Sequence, residues 1–107
     1  MSAPEPGFTA VLWEAKARPG REAEMKAFLA AAVTASRHDP GCIDYEAHEV
    51  DGAPGRFVIY ERWVSREALD GHLGAPRMQA LVPRLLELMQ GSIEDGIRIL
   101  RPFRPAR

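Results

Sequence analysis

Pro-Gly pairs at 19–20, 40–41 and 54–55, together with Gly74-Ala75-Pro76, cut this chain into short pieces. Proline locks φ and offers no amide hydrogen, whereas glycine accepts positive φ, so each pair marks a turn rather than the interior of a helix or strand. The longest apolar run between them, 27–33, is mostly alanine and falls far short of the ~20 residues that cross a bilayer. The chain of 107 residues carries one domain's worth of sequence. The expectation is a single domain over 1–107, with a core spanning 8–101 and flexible tails at 1–7 and 102–107.

The pieces between the turns have distinct periodicities. Residues 8–13 are apolar and β-favouring and predict a first strand, stopped at Arg18-Pro19-Gly20. From 21 to 37 a single apolar stripe runs through Met25, Phe28, Leu29, Ala32, Val33 and Ser36, with Glu22 and Glu24 in the first turn, which predicts a helix. Residues 42–50 alternate, with Ile43, Tyr45 and Ala47 on one face and Asp44, Glu46 and His48 on the other. The turn at 51–55 then leads into the clearest strand, 57–64, so the two strands predict an antiparallel hairpin. Ser65 is the expected N-cap of a short helix to Leu73, and Pro76 begins another, reaching Gln90 and kinked or divided near Val82 by Pro83. A last strand is expected at 97–100.

The resulting order, β-α-β-β-α-α-β, is an α+β, ferredoxin-like pattern with its second helix broken in two. Helices cover one face of such a sheet only. Val58 and Tyr60 make one face of the third strand as apolar as Phe57, Ile59 and Trp63 make the other. Nothing remains in the chain to cover the second face, so a homodimer is expected.

Composition narrows the function. Lys and Arg number 14 against 15 acidic residues, a formal net charge of −1, which leaves no basic excess to grip nucleic acid. A hydrophobic content of 46% belongs to a folded domain rather than a disordered one. Cys42 is the single cysteine; it excludes an intrachain disulfide and a cysteine-rich zinc site, and fits a reducing compartment. Residues 1–7 hold neither a basic leader nor an apolar stretch, so no signal peptide or membrane association is expected and the protein is expected in the cytoplasm.

Three side chains carry the candidate chemistry. Glu61 and Trp63 share a parity and leave the same apolar face of the third strand, and His72 follows on the inward side of the short helix. A carboxylate, an aromatic surface and a titratable base thus converge around one strand-to-helix turn. Two of them have a structural alternative: Glu61 pairing with a surface arginine near the strand end, and His72 as a hydrogen-bonded packing residue. Trp13, on a strand adjacent to the third in this order, either lines the same pocket or packs in the core or dimer contact. His38 suits a helix C-terminus. Glu46 and His48 lack a third ligand, so no metal is expected. Met78 and Met89 fit core filling, and the arginines at 98, 101, 104 and 107 a solvated edge. Neither G-x-G-x-x-G nor a Walker-type loop occurs, which leaves nucleotide and flavin cofactors without support.

The block Phe57-Val58-Ile59-Tyr60-Glu61-Arg62-Trp63, followed by Ala68-Leu69 and His72-Leu73, resembles the signature of the antibiotic-biosynthesis monooxygenase family. Arg18-Pro19-Gly20 and Asp39-Pro40-Gly41-Cys42 match as well, and the resemblance covers about 8–101. It implies a dimeric α+β barrel of two facing sheets. It further implies small monooxygenases that oxidise quinols or polycyclic phenols with dioxygen and need no flavin, haem or metal. The family's pocket lies between sheet and helices, where Glu61, Trp63 and His72 match, while Tyr60 matches but points to the dimer face. Haem-degrading relatives use a first-strand asparagine and a long-helix histidine. Here Trp13 stands at the strand position, the long helix has no histidine, and the chain has no asparagine at all.

The expectation is therefore a cofactor-independent monooxygenase of a quinol or hydroxy-aromatic molecule. His72 and Glu61 would be catalytic, His72 taking the phenolic proton and Glu61 orienting the imidazole or stabilising its cation. Trp63 and Trp13 would bind the substrate ring. The alternatives are a dimeric binding module for a small aromatic ligand, without turnover, and an isomerase on the same fold.

Overall fold

The computed structural model describes residues 7–103 and 105. Most of the tail expected to be flexible at the N-terminus, and residues 104, 106 and 107 of the other, lie outside that description. The elements follow as β1 (Thr9–Ala17), α1 (Glu22–Ser36), β2 (Cys42–Glu49), β3 (Arg56–Trp63), α2 (Arg66–Leu73), α3 (Pro76–Leu88), β4 (Met89–Gln90), a 3-10 turn (Glu94–Gly96) and β5 (Ile97–Leu100). The sheet is antiparallel throughout, in the order β2-β3-β1, and both β4 and β5 pair with the far edge of β1. This is the ferredoxin-like order, with its edge strand interrupted by residues 91–96.

Alternation decides which side of the sheet meets the helices. Val11, Trp13, Ala15 and Ala17 of β1, with Phe57, Ile59, Glu61 and Trp63 of β3, point inward and are buried. Met25, Leu29, Val33 and Ser36, one turn apart along α1, close over them. Each large apolar side chain in this layer contributes about 1.5–3 kcal/mol by leaving water. At the far end, the Arg18 guanidinium donates to the carbonyls of Leu86 and Met89 and so satisfies the C-terminus of α3.

Four details depart from the sequence reading. β1 runs on to Ala17 because Glu14–Lys16 find partners in β3, and pairing overrides the weak strand propensity of Glu, Ala and Lys. Pro83 does not divide α3, which runs unbroken from Pro76 to Leu88. Pro83 is on the exposed side, where water can serve a carbonyl that lacks its helical donor. The helix also ends at Leu88 rather than Gln90, because Met89 and Gln90 pair with Ala17 and Lys16 as β4. A bulge between Cys42 and Asp44 turns Ile43 outward, so Cys42 rather than Ile43 packs against the core, while Tyr45 stays inward.

The outer face of the sheet carries Leu12, Val58, Tyr60 and Leu100. It is bordered by the ion pairs Arg56–Glu14 and Arg62–Asp44. No helix is long and apolar enough to cross a membrane among the described residues.

Candidate functional site

Four elements converge at one end of the inner sheet face. β3 supplies Glu61, and the hairpin register sets Tyr45 of β2 directly opposite it. Ser65, whose Oγ accepts from the Ala68 amide at 3.1 Å, starts α2 and aims His72 down onto the sheet. The turn between α1 and β2 brings Asp39 against α2. Gly41 makes that approach possible: its φ is +82°, and a Cβ there would stand 2.6 Å from Ala68 Cβ and 3.0 Å from Val64 Cγ2. Arg77, in the first turn of α3, completes the group.

The contacts are short and specific. His72 Nδ1 is 2.6 Å from Asp39 Oδ2, and the Arg77 guanidinium donates to the same oxygen at 2.6 Å. His72 Nε2 is buried without a hydrogen-bond partner and faces Glu61 Oε1 across 4.0 Å. Glu61 accepts from Trp63 Nε1 at 2.9 Å. The Trp63 indole is wholly buried and lies tilted against the imidazole, with ring centroids 4.5 Å apart, and Tyr45 meets both rings edge-on.

Burial sets the protonation of this group. It pushes the Glu61 carboxyl up to about 7, against the opposing pull of hydrogen bonds from Trp63 and Tyr45. It lowers His72 below the ordinary imidazole value, although Asp39 works the other way. Burial also raises the Tyr45 hydroxyl well above the usual phenol range, which keeps it a donor. Near neutral pH the pair is therefore a neutral imidazole facing a carboxyl poised between its two forms.

Above this pair lies a cavity of about 390 Å³. Its walls are apolar, formed by Val11, Trp13, Phe28, Leu85 and Ile97 among others, and its polar groups are few: Tyr45, Glu61 and His72 at one place, with Gln79 and Glu94 from α3 and the 3-10 turn. Trp13 is fixed by its Nε1, which donates to the Ile93 carbonyl at 3.0 Å. A larger, more open hollow between the start of α1 and the 49–57 turn holds no such convergence of an unpartnered base and a raised carboxyl among the described residues. Among the described residues no three His, Cys, Asp or Glu side chains gather to hold a metal.

Of the residues singled out from sequence, Glu61, Trp63 and His72 are in mutual contact, and Trp13 lines the cavity with Glu61 and His72. Trp63 stands behind the imidazole, outside the cavity wall. Glu61 does not contact the ring nitrogen on Asp39's side, so the hydrogen bond that orients the imidazole belongs to Asp39. Asp39, Arg77 and Tyr45 were not anticipated. Asp39 stood in the family-like turn Asp39-Pro40-Gly41-Cys42 with no role assigned to its side chain, and Arg77 carried no reading. Tyr45 left a signal of its own, an aromatic of inward parity directly across the hairpin from Glu61.

A ferredoxin-like α+β domain with a histidine–carboxylate pair at an apolar cavity is the class that fold and site define. Residues 9–84 match the model of the family described as antibiotic biosynthesis monooxygenase, and the chain belongs to that family. Rv0793 of Mycobacterium tuberculosis, provisionally named a monooxygenase, is 33% identical over 87 residues, 80% of this chain and 82% of that protein. Its solved structure superposes with a TM-score of 0.82 at 30% identity, covering 94% of this chain and 100% of that one. The uncharacterised protein sll1783 of Synechocystis is 31% identical over 82 residues, 77% of this chain but 56% of that protein. A conserved protein from Methanosarcina mazei, at 21% identity, shares the fold with a TM-score of 0.82 over 91% of this chain and 94% of its own.

Proposed function

We propose that this protein is a cofactor-independent monooxygenase acting on a quinol or another hydroxy-aromatic molecule. The observation that carries the reading is the unpartnered His72 Nε2 facing Glu61 beside an apolar cavity. A buried nitrogen lone pair with no donor is costly unless a ligand supplies one. A hydroxyl oxygen placed between the two groups would donate to Nε2 and accept from protonated Glu61.

The chemistry then follows from the substrate. His72 takes the phenolic proton, and the electron-rich phenolate passes an electron to dioxygen. Recombination forms a carbon–oxygen bond at a ring carbon that carries hydrogen. Loss of that hydrogen as a proton, with cleavage of the O–O bond, leaves a quinone carbonyl and releases water. One oxygen atom enters the product, the other leaves as water, and all four electrons come from the substrate. Trp13 would stack on the ring. Trp63 would hold Glu61 and the imidazole from behind rather than touch substrate.

The test is oxygen uptake by the metal-free protein with hydroquinones, catechols and anthrones. The expected result is uptake that needs the enzyme and falls at least about 10²-fold in His72→Ala, with KM little changed. Equal loss in kcat and binding would remove His72 from the base role. Saturable tryptophan quenching by these compounds without uptake would make this a binding module.

A homodimer is the second half of the reading. A partner copy seated on the outer sheet face would bury Leu12, Val58, Tyr60 and Leu100, which no helix covers among the described residues.

A further inference from the structure

We propose that Asp39, clamped by Arg77, is the positioning residue of this site, fixing the His72 ring so that Nδ1 carries the proton and Nε2 presents its lone pair to the cavity. The inference rests on the reading of His72 as the base. It starts from two contacts on a single oxygen: Asp39 Oδ2 stands 2.6 Å from Nδ1 and 2.6 Å from an Arg77 nitrogen. Arg77 also reaches Ser36 Oγ at 3.4 Å, which ties the clamp to the last turn of α1. A carboxylate accepts and does not donate, so Nδ1 must be the donor at this distance. A neutral imidazole with its proton on Nδ1 has none on Nε2.

The other tautomer fails on the same geometry. It would set the Nδ1 lone pair against Asp39 Oδ2 and turn an N–H toward Glu61. The three positions come from separate elements, Asp39 from the turn after α1, His72 from α2 and Arg77 from α3, so the ring is held by the packing of the helices against one another rather than by a local turn. When the imidazole gains a proton from substrate, the Asp39 charge stabilises the cation.

The test reads the resting protein first. In 15N-labelled protein, long-range proton–nitrogen correlations should place the His72 proton on Nδ1. Asp39→Ala should shift the ring toward the Nε2-protonated form. Asp39→Asn, which keeps the shape and removes the charge, should lower the His72 titration midpoint. The groups that face the ring during that titration are Asp39 from the turn, Arg77 from α3, Glu61 from β3 and Tyr45 from β2. In the oxygen-uptake assay Asp39→Asn should cost about 10²-fold in kcat with KM within about threefold. A wild-type proton on Nε2, or a folded Asp39→Ala with an unchanged tautomer, would overturn the proposal. So would an Asp39→Asn midpoint equal to the wild type. Because the spectra need no substrate, an absence of oxygen uptake would sink the oxygenase while leaving the role of Asp39 to the spectra.

Discussion

Glu61 is buried among aromatic rings and hydrogen-bonded to Trp63, and its carboxyl rises from 4.5 to about 7 because the charged form is poorly solvated there. The sign of the resulting stability change follows directly. Below pH 4.5 the group is protonated whether the chain is folded or not, and costs nothing. As pH rises toward 7 the unfolded chain ionises first, so stability falls, and the loss is complete above about 7. The shift corresponds to at most roughly 3 kcal/mol. Glu61→Gln should therefore gain stability over the wild type between pH 5 and 8, read as a growing difference in urea midpoints. A difference that stays flat with pH would mean the carboxyl is not buried as a charge. His72 adds a loss of its own in the opposite direction: its lowered value makes protonation unfavourable in the fold, so its contribution falls as pH drops below about 6.5.

At the scale of elements, the turn at 37–41 does more for the site than its composition suggests. Gly41 lets α2 sit directly on the turn, and that contact carries Asp39 to His72. Gly41→Ala would strain the backbone at positive φ and push Ala68 away. The expected cost is about 2–4 kcal/mol, seen as a drop of roughly 10 °C or more in Tm, with the Nδ1 proton of His72 losing its partner. A variant with wild-type Tm would mean that the turn adapts freely. The Pro83 result belongs at the same scale. A proline inside a helical pattern was legible as an interruption, but its consequence depended on which side of α3 it occupied, and solvent makes the lost bond cheap.

For the whole molecule, the outer sheet face is the apolar surface that the helices leave open. Leu12 is 36% and Leu100 40% exposed, and Tyr60, half-buried, stands opposite Leu12 on β3. Two ion pairs within the chain, Arg56–Glu14 and Arg62–Asp44, stand around them. If two copies bury this face, Leu12→Glu should give a folded monomer by sedimentation equilibrium while the wild type sediments as a dimer. A monomeric wild type would reject the assembly outright.

Element order apart from the short β4, the antiparallel hairpin, the capped start of α2 and the shared face of Glu61 and Trp63 were all readable in the sequence, because periodicity, capping and parity are local properties of a chain. The likeness of the 57–73 block to the monooxygenase family was readable for the same reason. The partners of His72 were not. Asp39 lies 33 residues from it, and nothing in the spacing shows that a turn residue will be carried across to α2. Tyr45 and Arg77 reach the site by register and helix packing, and Trp63 ends up behind the ring rather than in the cavity for the same cause. Local chemistry chose which residues could act. Only the packing of helices on the sheet decided which of them meet, since burial and hydrogen-bond geometry are properties of neighbours in space.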